Sequence, residues 1–327
     1  MNKLWSICIP TYNRAENLKR NLEYIFKQIN DKNRSLLEIV VSNNASKDHT
    51  DSVVSDFIAR GLEIAYYVND SNIGPDGNFL QCVQKAKGKY VLLLGDDDYL
   101  VLGSIDRILD CLQKDDYGAV YIARNMFNSS DNYLTVRKAS KDSINICLCK
   151  DGNEYLRQVS YFITFMSGTI FQKVLLGDIE KYIKYNSTNL LQISFYIKAA
   201  LECNRNLIIN ESLLTTASND NGGYALAQVF CENFNTLLEL FKGEGLEQRT
   251  IDVINNDMLL TFFPFWLGTI RFKNTRFKKE NANSILLNRY SNNWRFWFFV
   301  NPIIKWPKQL GWCWWTFLRV LRKIGLI

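Results

Sequence analysis

Short apolar runs alternate with amphipathic stretches over the first 124 residues. Leu4–Ile9 is apolar and closes on Pro10-Thr11-Tyr12-Asn13; Leu18, Leu22, Ile25, Phe26 and Ile29 then recur at helical spacing from about Ala15 to Gln28. Leu37–Val41 predicts a second strand, which runs into the polar stretch Ser42–Asp48. A helix over Thr50–Ala59 follows, with Val53, Val54, Phe57 and Ile58 as its apolar positions and Gly61 as its stop. Ile64–Val68 predicts a third strand, leading into Asn69–Asn78, and Phe79, Leu80, Val83 and Ala86 mark a helix ended by Gly88. Tyr90–Leu94 then reads as a fully buried strand that runs directly into Gly95-Asp96-Asp97-Asp98. Ile105, Ile108, Leu109 and Leu112 predict a fourth helix, and Ala119–Ala123 a fifth strand.

Such alternation implies βαβ units and an α/β fold with a mainly parallel sheet flanked by helices. Ligands of such sheets bind at the carboxyl ends of the strands. The polar clusters Thr11–Arg14, Ser42–Asp48, Asn69–Asn78 and Asp96–Asp98 all follow strands, so they converge on one rim. A rim rich in Asn and Asp suits a nucleotide and its ribose. Three adjacent carboxylates at a buried strand end raise one another's pKa unless something positive sits among them. A divalent cation shared with substrate phosphates is the simplest such partner, and a solvated acidic loop is the bland alternative. No G-x-G-x-x-G follows the first strand and no Walker-A lysine loop is present, which argues against dinucleotide oxidoreductases and P-loop NTPases.

From Tyr133 to Asn221 the pattern is mixed. Leu134–Val136, Tyr161–Thr164, Gly168–Phe171 and Leu207–Ile209 read as short strands, and Gly152–Val159 and Leu190–Leu201 as helices. Ser218–Gly223 is a loop by composition, a connector or a lid. Residues 225–270 read as helical, with Met258–Ile270 a buried helix interrupted by Pro264 and too short to span a membrane. The domains expected are 1–224, with a nucleotide-binding half to about 124 and an acceptor half from 125, and a helical C-terminal extension over 225–327.

Charge changes the picture at the end of the chain. From Arg271 onward there are 12 Lys and Arg against the single acid Glu280, leaving 27 against 32 Asp and Glu in the rest of the 327 residues. Six of the eight tryptophans lie in the same tail. Three readings fit it: an interfacial segment on anionic lipid, a helix packed on the body with a solvated basic face, or a stacking surface for single-stranded nucleic acid. Charge asymmetry favours lipid, and no nucleic acid is expected as a partner. The eight cysteines show no C-x-x-C pair, which suits reduced thiols in the cytosol. The lone histidine, His49, rules out multi-histidine metal sites.

Four motifs in order, Ser6–Arg14 (SICIPTYNR), Val41–Thr50 (VSNNASKDHT), Asn72–Phe79 (NIGPDGNF) and Gly95-Asp96-Asp97-Asp98, resemble family 2 glycosyltransferases of the GT-A fold, and among them the bacterial abequosyltransferase-like enzymes of O-antigen and capsule synthesis. The resemblance implies transfer of a sugar from a nucleotide-diphosphate sugar to a lipid-linked oligosaccharide acceptor, with Mn²⁺ or Mg²⁺, at the cytoplasmic face of the plasma membrane. It implies that Pro10, Thr11, Tyr12, Asn13 and Arg14 frame the base and that Asn72, Gly74 and Asn78 border the ribose. Asn43 stands where many members carry a base-reading aspartate, and Asp48 is expected to cap the following helix. Asp97 is the expected metal ligand, with Asp96 and Asp98 assisting, while Gly95 stands at the first acid of the commonest family form.

The acceptor side departs further. Between Lys181 and Glu202 there is no Asp, Glu or His, and Gln192 occupies the place of an expected base, although an amide takes no proton at neutral pH. Asp220 and Glu211 are the alternative bases. A nucleotidyltransferase, or a binding protein that has lost its base, is the competing class of function.

Overall fold

Each apolar run of the first half becomes a strand with its polar cluster at the tip. In the computed structural model residues 3–127, 139, 144–217, 223–273 and 275–325 are described, and the chain divides into two compact units, residues 1–218 and 219–327. In the first unit β1 (Trp5–Thr11) is buried along its whole length, as the middle of a sheet requires. It lies between β2 (Leu37–Asn43) and β4 (Tyr90–Leu93), with β3 (Ile64–Val68) beyond β2 as a half-exposed edge, and these pairs are all parallel. Pro10 is tolerated in β1 because the pairing with β4 ends at Cys8↔Leu93, so its missing N–H falls past the last partner.

Helices α1 (Ala15–Phe26), α2 (Thr50–Ala59) and α3 (Gly74–Lys85) connect these strands. α1 buries Ala15, Leu18, Leu22 and Ile25 at helical spacing, and the polar Asn21 with them.

Beyond β4 the strand directions are mixed. The short β5 (Asp98–Leu100) and α4 (Ser104–Leu112) come next, then β6 (Ala119–Phe127), β7 (Ile146–Cys149), α5 (Gly152–Val159), β8 (Thr169–Gln172), α6 (Leu191–Leu201) and β9 (Asn206–Ala217). The nine-stranded sheet runs β3-β2-β1-β4-β8-β6-β9-β5, with β7 also on β9. β8 is antiparallel to both β4 and β6, β6 and β9 are parallel to each other, and β5 is antiparallel to β9, so the continuous parallel run is the first four positions of the sheet. Tyr161–Thr164 is not a strand: Ser160–Thr164 forms a 3₁₀ helix directly after α5. Leu134–Val136 lies outside the described residues.

The second unit is helical among its described residues. It comprises α7 (Phe234–Phe241), α8 (Gln248–Asp257), α9 (Phe263–Phe272), α10 (Ala282–Tyr290), α11 (Asn301–Lys305) and α12 (Lys308–Lys323). Wide π turns at Met258–Phe262 and Phe296–Val300 precede Pro264 and Pro302, absorbing prolines that cannot donate to the preceding turn. Met258, Leu259 and Phe263 are buried, as expected of that apolar stretch. Its core holds a closed polar ring: Asn235 Nδ2 donates to Tyr290 Oη (3.0 Å), Tyr290 Oη–H to Asn255 Oδ1 (2.6 Å), and Asn255 Nδ2 to Asn235 Oδ1 (2.8 Å). Gly268 lets α9 and α12 meet closely, since a Cβ there would stand 2.2 Å from Trp315 Nε1.

Candidate functional site

The site starts from how β4 ends. Leu94 N donates to Cys8 O (2.8 Å), and the chain then turns so that Asp98 N donates to Gly95 O (3.1 Å). This turn stands the aspartates beside the tip of β1. Thr11 Oγ1 donates to Asp96 Oδ2 at 2.8 Å. Arg14, the residue before α1, splits its guanidinium: Nη1 reaches Asp96 Oδ1 and Nη2 reaches Asp97 Oδ2, both at 2.7 Å. Asn21 holds the turn from below, its Nδ2 donating to the carbonyls of Gly95 (2.9 Å) and Asp98 (2.6 Å). Ser167 accepts from Gly95 N (2.8 Å) and donates its hydroxyl to Asp98 Oδ2. A Cβ on Gly95 would come within 2.8 Å of that same Asp98 oxygen, so glycine is what this packing of the triplet accommodates.

Burial sets the electrostatics. It pushes Asp96 and Asp98 up to about 7, with Arg14 opposing the shift at Asp96 and the Asp97 charge adding to it at both. Burial would lower Arg14, but the Asp96 and Asp97 carboxylates outweigh it and hold the guanidinium charged. Arg124 on β6 also feels Asp98, and its guanidinium lies 3.9 Å from the centre of the Phe165 ring; burial pulls its pKa down.

Arg14 reaches toward the turn after β4 and not toward the end of β2, because two carboxylates in that turn draw its fork. Thr11 reaches the same turn through Asp96, whereas Asn13 faces the loop after β2. Asn13, at φ 53°, donates N–H to Ser46 Oγ (2.9 Å) and accepts from Lys47 N at Oδ1 (2.7 Å), while Tyr12 is exposed beside it. Asn43 accepts from Ser46 N (2.9 Å) and donates to Tyr66 Oη (2.8 Å) and Asp51 Oδ1 (3.1 Å). The charge absent at Asn43 is thus present one shell away, on Asp51.

The third motif is held by Asn44, whose amide contacts Asn72 Oδ1 (2.9 Å), Gly74 O (3.1 Å), Ile73 N (3.0 Å) and Asn69 Nδ2 (2.9 Å). Asn72 and Gly74 stay at the surface, but Asn78 is buried and exchanges hydrogen bonds with Ser42, so it supports the loop and is not turned to a ribose. The N-cap position of α2 is His49, without a side-chain capping bond, and Asp48 stands one residue before it; Asp48 accepts from Thr50 N (3.2 Å) and from Ala15 N (2.9 Å), tying the start of α2 to that of α1.

On the acceptor side Asp76, in the first turn of α3, is buried and accepts from Asn189 N (2.8 Å) and Leu191 N (3.4 Å). It clamps the turn before α6, where Ser187 and Asn189 sit at φ 70° and 58°. Gln192 follows, buried, with Oε1 lacking a hydrogen-bond partner among the described residues. Glu211 pairs with Arg107, five residues before Thr216, the β9 partner of Asp98. At about 3.3 Å per residue that is on the order of 15 Å along the strand, too far for a base at this site. Asp220 lies outside the described residues. Asn21, Asn44, Asp76 and Ser167 were not singled out by sequence; only Asn21, a polar residue on an apolar helix face, carries a readable signal there.

Among the described residues no three His, Cys, Asp or Glu side chains gather as a metal cage. Of the three aspartates, Asp96 is engaged by Thr11 and Arg14, and Asp98 by Ser167. The donor set fits a narrower site. Asp97, 23% exposed against 3% for Asp96, suits a hard cation that takes one carboxylate and completes its shell with substrate phosphates and water.

Comparison with known proteins bears directly on this rim. Residues 6–176 match the family model described as Glycosyl transferase family 2, which spans β1 through β8 and every motif above. The chain belongs to glycosyl transferase family 2. It is 41% identical over 103 residues to abequosyltransferase RfbV of Salmonella typhimurium, a match covering 31% of this chain and only 30% of that relative's length. It is 27% identical over 227 residues to the GalNAc(5)-diNAcBac-PP-undecaprenol beta-1,3-glucosyltransferase of Campylobacter jejuni, covering 66% and 68% of the two chains. Among solved structures, S. aureus TarS 1–349 in complex with UDP superposes with TM-score 0.59 at 17% identity, over 98% of this chain and 92% of that one. The mannosyltransferase PcManGT of Pyrobaculum calidifontis, in complex with GDP-Man and Mn²⁺, gives TM-score 0.56 at 15% identity, over 99% and 88%. At these identities the structures establish the fold, GT-A, and not the substrate.

Proposed function

We propose that this chain transfers a sugar from a nucleoside-diphosphate sugar to a lipid-linked glycan during bacterial surface-polysaccharide synthesis, at the cytoplasmic face of the membrane. The observation that carries the reading is the gathering of Thr11, Arg14 and Asp96–Asp98 at the end of β1, beside the Asn43–Asn44 cluster at the end of β2. Such a rim offers a phosphate end and a base end on adjacent strands. The named acceptor of the Campylobacter relative, an undecaprenol-linked glycan, supports the lipid-linked class.

In this reading Asn43, Tyr12 and Asn13 meet the base, Asn72 and Gly74 border the ribose, and Asp97 stands at the diphosphate. A bound Mn²⁺ or Mg²⁺ there would neutralise the charge of the leaving nucleoside diphosphate. Thr11 and Ser167 fix Asp96 and Asp98, so that the turn presents Asp97 in one orientation. Gln192 can orient an acceptor hydroxyl but cannot deprotonate it. Asp220 is the proposed base, as the first carboxylate in the sequence after β9.

The tail is proposed to rest on anionic lipid. No helix among the described residues is long and apolar enough to cross a membrane. α12 buries Gly311, Trp315 and Leu318 and exposes a second apolar stripe, Leu310, Cys313, Phe317, Val320 and Ile324, beside exposed Arg319, Arg322 and Lys323.

The test is a panel of nucleotide sugars with Mn²⁺ and a polyprenyl-diphosphate glycan, read as nucleoside diphosphate released. Release from one donor, lost in Asp220→Asn, is expected. Pyrophosphate as product would instead mark a nucleotidyltransferase, and nucleotide binding without release from any donor would mark a binding protein.

A further inference from the structure

We infer that Arg14 is the resident counter-ion of the aspartate turn, that a divalent cation reaches Asp97 by displacing its guanidinium, and that the displaced guanidinium then pairs with the diphosphate of the donor. This rests on the donor reading above and adds a specific exchange of partners to it.

The geometry carries the exchange. Arg14 spans Asp96 and Asp97 at 2.7 Å each, so one guanidinium neutralises the carboxylate a cation would need and the one behind it. Its side chain is 40% exposed, which leaves it room to swing, while Asp96 is buried and keeps its Thr11 hydrogen bond when Arg14 leaves. The backbone on either side of Arg14 is pinned: Asn13 is tied twice to the β2 loop, and Ala15 N is held by Asp48. Only the side chain therefore has to move. A guanidinium released next to a diphosphate finds a bidentate partner there, and released without one it finds only water.

Two consequences follow. The cation alone binds weakly, because it must break an ion pair with nothing in return. Cation and nucleotide bind with positive coupling, because the nucleotide supplies the new partner for Arg14.

The test is Mn²⁺ binding to the full chain, followed by electron paramagnetic resonance of the free ion, with and without UDP, GDP or CDP. Wild type is expected to bind Mn²⁺ weakly alone and on the order of tenfold more tightly with the matching nucleotide. Arg14→Gln is expected to bind Mn²⁺ alone roughly tenfold more tightly than wild type and to lose most of the gain from nucleotide. Arg14→Lys keeps the charge but cannot span both carboxylates, so it falls between the two and guards against misfolding of the glutamine variant. If both variants bind Mn²⁺ alone no more tightly than wild type, while nucleotide still tightens wild-type binding, the counter-ion role is wrong and the donor reading stands. If no nucleotide brings Mn²⁺ onto wild type at all, the metal part of the donor reading and the exchange both fall.

Discussion

A single amide on α1 holds the aspartate turn in place. Asn21 Nδ2 donates to both Gly95 O and Asp98 O, so Asn21→Ala leaves two carbonyls without this donor beneath three acidic side chains. A loss of about 1–3 kcal/mol is expected in denaturant unfolding, with weaker nucleotide binding alongside it. A change below about 0.5 kcal/mol would mean water replaces the amide without cost. The carboxylates above it make a pH prediction. Asp96 and Asp98 are raised to about 7 by burial, so the metal-free folded state takes up protons there that the unfolded chain releases at about pH 4. Stability from these groups is therefore complete below about pH 4 and declines as pH rises toward about 7. Asp98→Asn removes one of them, so the melting temperature of wild type should fall relative to Asp98→Asn between about pH 4 and pH 7. A constant difference across that range would show that Asp98 titrates normally.

At the scale of elements, residues 1–124 were readable because their strands are continuous apolar runs and their helices keep a clear 3.6-residue pattern. Thr50–Ala59 and Ile64–Val68 match α2 and β3 residue for residue. Residues 125–224, and β5 before them, were less readable. β5 is three residues long and exists only through its pairing with β9, and β9 extends through Thr215 and Thr216, past the apolar Leu207–Ile209. The four motif clusters were legible as one rim, since strand polarity alone brings them together. What each side chain does there was not. Arg14 turns toward the end of β4 because of carboxylates 82 and 83 positions along the chain, and Asn78 turns inward because Ser42 receives it. α12 is the element whose role is tested apart from the sheet. Arg319→Glu with Lys323→Glu should weaken binding to phosphatidylglycerol vesicles by roughly tenfold or more, and salt should weaken wild type in the same direction. Equal binding to neutral and anionic vesicles would remove the electrostatic part of the lipid reading.

Across the whole molecule the two units divide the proposed work. The first carries the family match and the acidic rim; the second carries the basic, tryptophan-rich end of the chain. The charge asymmetry that sequence reveals is consistent with a donor site on one unit and lipid contact on the other, and neither depends on a membrane-spanning helix. Everything proposed for the reaction depends on Asp97 presenting a carboxylate to a cation and a diphosphate. The direct measurement is calorimetric titration of UDP, GDP and CDP into wild type and Asp97→Asn, each with and without Mn²⁺. One nucleotide should bind wild type on the order of tenfold more tightly with Mn²⁺ than without it, and Asp97→Asn should lose that gain while melting like wild type. Binding that is equal with and without Mn²⁺, or unchanged in Asp97→Asn, would contradict it.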